Sequence, residues 1–115
     1  MKFLLEATFL ACLVFAGAND IFECPESERR GTMICFADIG KFGEKDKVVE
    51  DVYICANNAT LNPGLITCLI VHNSMGFNGG TAVIRAGGLG YDYVEIDMKS
   101  QVSYAFDFHI EAFVN

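Results

Sequence analysis

Residues 93–112 alternate apolar and polar side chains with a period of two, and this constrains the fold more than any other feature. Val94, Ile96 and Met98 share one side, with Tyr93, Glu95, Asp97 and Lys99 on the other. Tyr104, Phe106, Phe108, Ile110 and Ala112 then share a face, opposite Ser103, Asp107, His109 and Glu111. Successive side chains leave a strand on opposite faces, so this pattern predicts half-buried antiparallel strands. Ser100-Gln101 separates the two runs and reads as the turn of a closing hairpin over 99–102.

Shorter pieces of the chain carry the same signature. Residues 32–37 and 48–56 are rich in β-favouring side chains, and 81–86 form another strand. Residues 65–71 are nearly all apolar, which predicts a strand covered on both faces. The stretch 72–80 is a glycine- and asparagine-rich turn, and Gly87-Gly88-Leu89-Gly90 reads as a bulge or tight turn. Residues 38–47 read as a charged, mobile connection, and 19–31 as an irregular arm tied down by Cys24. Short strands at regular spacing predict an all-β, antiparallel sandwich or barrel-like domain of about six strands.

Residues 1–18 read as a signal peptide. Lys2 supplies the positive end, Leu4 to Phe15 is mostly apolar despite Glu6, and Ala16-Gly17-Ala18 provides the small residues of a cleavage site. The apolar run is shorter than the roughly 20 residues needed to span a bilayer. The expectation is cleavage after Ala18, an extracellular protein, and a single β domain over 19–115 of about 97 residues. No membrane contact is expected once the leader is removed.

Cysteine usage fits an oxidising compartment. Cys12 falls in the leader, which leaves Cys24, Cys35, Cys55 and Cys68, an even number in a short chain. Three pairings are possible. Cys55 and Cys68 flank the turn-rich stretch 57–64, so strands folding back there would favour Cys55–Cys68, leaving Cys24–Cys35. Each bridge would close a loop of about a dozen residues, worth on the order of 3 kcal/mol. A zinc site would need paired CxxC spacing or a histidine at ligand spacing, and neither is present. Asn58-Ala59-Thr60 is an N-glycosylation sequon in the same turn-rich stretch, which makes Asn58 a candidate glycan site and the chain a candidate glycoprotein.

Charge narrows the partners. Removing 1–18 takes away Lys2 and Glu6 together, so the net charge stays at −7. Direct nucleic-acid binding needs a basic patch to displace counterions from phosphates, and the few basic residues here are interleaved with acids. Asp92, Glu95 and Asp97 could suggest calcium, but Asp92 falls on the opposite face, so solvated strand acids are expected. His72 and His109 have no Cys or Ser at a catalytic spacing, and no enzyme activity, metal or cofactor is expected. The GGLG segment precedes a strand, so it lacks the helix N-terminus of a phosphate site. Tyr91 and Tyr93 lie opposite the core face and are candidate interface anchors, or else pack beneath a loop.

The C-terminal block resembles the multiprotein bridging factor 2 family of insects. The resemblance rests on Ile66 to Val71, then Gly79-Gly80 leading into Thr81-Ala82-Val83-Ile84. It continues through Gly87-Gly88-Leu89-Gly90-Tyr91-Asp92-Tyr93-Val94-Glu95-Ile96, Lys99-Ser100-Gln101 and Phe106-Asp107-Phe108-His109-Ile110-Glu111. The family name comes from a co-activator that bridges a DNA-bound nuclear receptor to the general transcription machinery, while many members resemble small secreted, salivary-type peptides. No catalytic residues come with the resemblance. With the leader and four cysteines, the leading expectation is a secreted, disulfide-stabilised, non-catalytic binding protein with an unidentified protein partner. The alternative is the transcriptional co-activator. Oligomeric state is not legible.

Overall fold

The structure, a computed structural model, describes residues 20–25, 31–58 and 64–114. Seven strands run through them: β1 (Ile21–Glu23), β2 (Thr32–Lys41), β3 (Glu50–Ala56), β4 (Ile66–Asn73), β5 (Thr81–Gly87), β6 (Tyr93–Lys99) and β7 (Phe106–Val114). They form two antiparallel sheets, a four-stranded one in the order β1-β4-β7-β2 and a three-stranded one in the order β3-β6-β5. The all-β, antiparallel expectation holds, with seven strands and no closed barrel.

The alternation does its work between the sheets. Val94, Ile96 and Met98 on β6 are fully buried, as are Phe108, Ile110 and Ala112 on β7. With Ile66, Leu69, Val71 and Phe106 they make one core cluster. Removing this apolar surface from water is the main favourable term, at roughly 25 cal/mol per Å².

The closing hairpin does not exist. β6 pairs with β3 and β5, whereas β7 pairs with β2 and β4, so residues 100–105 cross from one sheet to the other. Period two is identical for two strands that pair and for two that face each other across a core, so alternation alone cannot separate them. Tyr104 accordingly lies outside β7 and is half exposed. The β2–β3 connection makes the same crossing alongside. Ser100 is buried, its N–H donates to the Val49 carbonyl, and its hydroxyl accepts from the Val49 N–H at 2.9 Å. Ser103 donates its N–H to the Lys47 carbonyl and accepts from the Asp46 N–H at 2.7 Å. Residues 38–47 are therefore not one mobile connection: 38–41 complete β2, and the remainder is laced to the opposite crossover.

Gly80 shows why the glycines before β5 are needed. Its φ is +82°, and a Cβ there would run into the Lys99 carbonyl oxygen and Ser100 Cα. Gly87, at φ +71°, would meet the Tyr93 carbonyl in the same way, so the β5–β6 hairpin depends on a residue without a side chain.

Both bonds pair the cysteines differently from expectation. Cys24 joins Cys68 and Cys35 joins Cys55. Cys55–Cys68 fails because Cys55 opposes Val94 and points into the core, while Cys68 opposes the outward residue Phe113. Cys24–Cys35 fails because β4 and β7 separate β1 from β2, some three spacings of about 4.8 Å, beyond the ~7 Å reach of a disulfide. Cys35–Cys55 ties an edge of one sheet to an edge of the other. Cys24–Cys68 pins the arm behind β1 over the outer face of β4, which explains why the apolar β4 is covered there. The expected leader at 1–18 lies outside the described residues.

Candidate interaction site on the outer sheet faces

The register of the larger sheet sorts its outer face into rows. Met33, Phe113 and Cys68 form one row, followed by Phe36, Glu111, Ile70 and Phe22. The next contains Asp38, His109 and His72, and the last Gly40 and Asp107. The first two rows are mainly apolar, and Phe36 is 62% exposed. The last two are acidic and imidazole-bearing. A groove of about 460 Å³ opens at that polar end, walled by Phe42, Met75 and Asp107.

His109 organises the polar end. Nδ1 lies 2.8 Å from Asp38 on β2, and Nε2 lies 2.7 Å from Glu111, two residues along β7. Carboxylates accept, so both ring nitrogens donate and the ring is the imidazolium. Its pKa is raised above 6.5, first by the bond to Glu111 and then by that to Asp38, with burial opposing. Phe36 packs edge-on against the ring at 4.8 Å between centroids. On β4, His72 opposes His109, with Nδ1 3.4 Å from Asp20. The spacing of His109 and Glu111 reveals their shared face; nothing local to the sequence brings Asp38 to them.

The smaller sheet presents a second face. Val52, Ile54 and Val83 are exposed on it, and two of the acids beside them, Asp97 and Glu50, are matched by fixed cations. Arg85 donates to Asp97 at 2.9 Å, and Lys99 lies 3.8 Å from Glu50. Asp97 is only 9% exposed, so it is an ion-paired acid and not the solvated one expected. Tyr91 and Tyr93 pack edge-on with centroids 6.0 Å apart at the end of this face; Tyr91 is exposed and Tyr93 half-buried. Asn58 is exposed where the β3–β4 crossover begins, while Ala59 and Thr60 lie outside the described residues.

Among the described residues, no group of three or more His, Cys, Asp or Glu side chains is arranged to hold a metal ion. At His109 the reason is visible: its nitrogens are turned to separate carboxylates, so no lone pairs converge. What the surface offers is two broad sheet faces, each mixing exposed apolar side chains with charge.

The family model described as Transcription activator MBF2 matches residues 37–114, and the chain belongs to that family. The matched span begins within β2 and takes in β3 to β7, so each disulfide joins a cysteine inside it to one before it. No curated protein and no solved structure matches the chain. The family finding corrects the expectation of a secreted, non-catalytic binding protein. A family described as a transcription activator agrees with the alternative reading, the co-activator.

Proposed function

We propose that this protein acts in transcription as a co-activator that works through protein contacts, bridging a DNA-bound receptor to the general transcription machinery. The observation that carries the reading is the family match over 37–114, which contains nearly all of both sheets. Charge supports contact with proteins and not with DNA: the chain carries a net −7, and the strands of the larger sheet hold no Lys or Arg besides Lys41. Binding to phosphates draws its affinity from released counterions, which such a surface does not displace. A co-activator of this kind needs no bound cofactor, and its apolar sheet faces supply the contact area.

The test is a reporter driven by a DNA-bound receptor, with and without the added protein. The expected result is higher transcription that depends on the receptor, and no shift of naked DNA in a mobility assay. Unchanged reporter output would overturn the reading, as would a direct DNA complex. Whether the endogenous protein keeps residues 1–18 is read by sequencing its N-terminus.

A further inference from the structure

We propose that the outer face of the β1-β4-β7-β2 sheet docks a protein segment presenting an arginine or lysine beside apolar side chains. This deepens the co-activator reading by naming the chemistry of a partner.

The argument starts from the difference between the two faces. On the smaller sheet, Asp97 and Glu50 already have Arg85 and Lys99. No Lys or Arg takes an outward position on the strands of the larger sheet; Lys41, their one Lys or Arg, opposes Phe106 and has the other parity. Among the described residues, Asp38 and Glu111 are ion-paired only with His109, Asp20 meets His72 and the Asn73 N–H, and Asp107 has no ion-pair partner. Histidine is a cation only below its pKa, so the ion pairs on this face lose their balance as pH rises, whereas Arg85–Asp97 and Lys99–Glu50 keep theirs.

Proton counting gives the consequence. As imidazolium, His109 donates to Asp38 and Glu111 at once. Neutral imidazole has one N–H, so one carboxylate then loses its donor. The Asp38 side chain is largely exposed and open to an incoming group. A guanidinium supplies donors in a planar fork that suits a carboxylate, and exposed Phe36 beside it offers an aromatic surface. The adjoining apolar rows, with Met33, Phe113 and Ile70, receive the segment's apolar side chains.

The test uses a fluorescent synthetic peptide of alternating arginine and leucine, with an alternating glutamate and leucine peptide as its counterpart. Anisotropy is measured with the intact disulfide-bonded protein. The basic peptide is expected to bind and the acidic one not. Binding tightens by about tenfold from about pH 5.5 to about pH 9, as His109 gives up its proton. Asp38→Asn combined with Glu111→Gln weakens it by at least about tenfold at the higher pH, while His109→Gln flattens the pH profile. Ile54→Ser on the other face leaves it unchanged, and circular dichroism verifies that each variant is folded. Equal binding of both peptides, or full binding by the double variant, overturns the proposal. So does a dimer in sedimentation that Phe36→Ser abolishes, because the occupant is then a second copy. Peptide binding without reporter activation defeats the co-activator reading and leaves the docking face standing. Undiminished activation by the double variant, with its peptide binding lost, severs the face from the activity.

Discussion

Asp38 and His109 oppose each other on β2 and β7, and the carboxylate meets Nδ1 at 2.8 Å although 71 residues separate them. With Glu111 on the other nitrogen, the ring is held as a cation between two acids. The contact ties an edge strand to its neighbour through a group that holds its proton more tightly than a free histidine does.

The sign of its pH dependence follows from the raised pKa. A group that binds its proton more tightly when folded adds stability in full below its unfolded pKa, near 6.5. That contribution is lost as pH rises from there through the higher folded value. Denaturant titrations across this window should show His109→Gln closing its gap to the wild type as pH rises. A gap that widens with pH would contradict the imidazolium assignment.

Disulfide connectivity has a direct readout. The sequence has no Lys or Arg between Lys47 and Arg85, so trypsin leaves Cys55 and Cys68 on one fragment, 48–85. The structure predicts that the fragments carrying Cys24 and Cys35 both stay attached to it without reductant. A Cys24–Cys35 pair released from 48–85 would show the Cys24–Cys35 and Cys55–Cys68 pairing. A second cut between Cys55 and Cys68, as by chymotrypsin at Leu65, tells Cys24–Cys68 from Cys24–Cys55. The bonds close loops of sequence separation 44 and 20. In the chain-entropy model they contribute about 4 and about 3 kcal/mol, so Cys24→Ser/Cys68→Ser should cost somewhat more than Cys35→Ser/Cys55→Ser.

Ser100→Ala tests the paired crossovers. Its hydroxyl accepts the buried Val49 N–H at 2.9 Å, so alanine leaves that donor unpaired. The expected loss is about 1–3 kcal/mol in urea unfolding. Ser103→Ala removes the comparable but exposed bond to Asp46, where water replaces the hydroxyl, and should cost clearly less. Equal losses would mean that burial is not what makes the Ser100 bond matter.

The strands were legible because their cause is local. Val94, Ile96 and Met98 announce a buried face in five residues of sequence, and β7 does so from Phe106 to Ala112. The ordered glycines and tyrosines from Gly79 to Tyr93 carried the family resemblance, and the family match over 37–114 agrees with it. Asp97 and residues 38–41 were misjudged because the partners that bury and pair them, Arg85 and β7, come from elsewhere in the chain.

The sequence by itself determined most of the strands, which faces are apolar and where glycine must break the chain, though it took β1 for part of an irregular arm and 38–41 for part of a connection. Only the tertiary structure decided that β6 and β7 face each other across a core and do not pair. The same arrangement decided that Cys35 reaches Cys55, Cys24 reaches Cys68, and Asp38 reaches His109. Alternation records the side of a strand on which a residue sits, and that is a property of neighbouring peptide units. Which strand lies alongside depends on how two apolar faces close over one another, and the chain pays no local conformational cost for either choice.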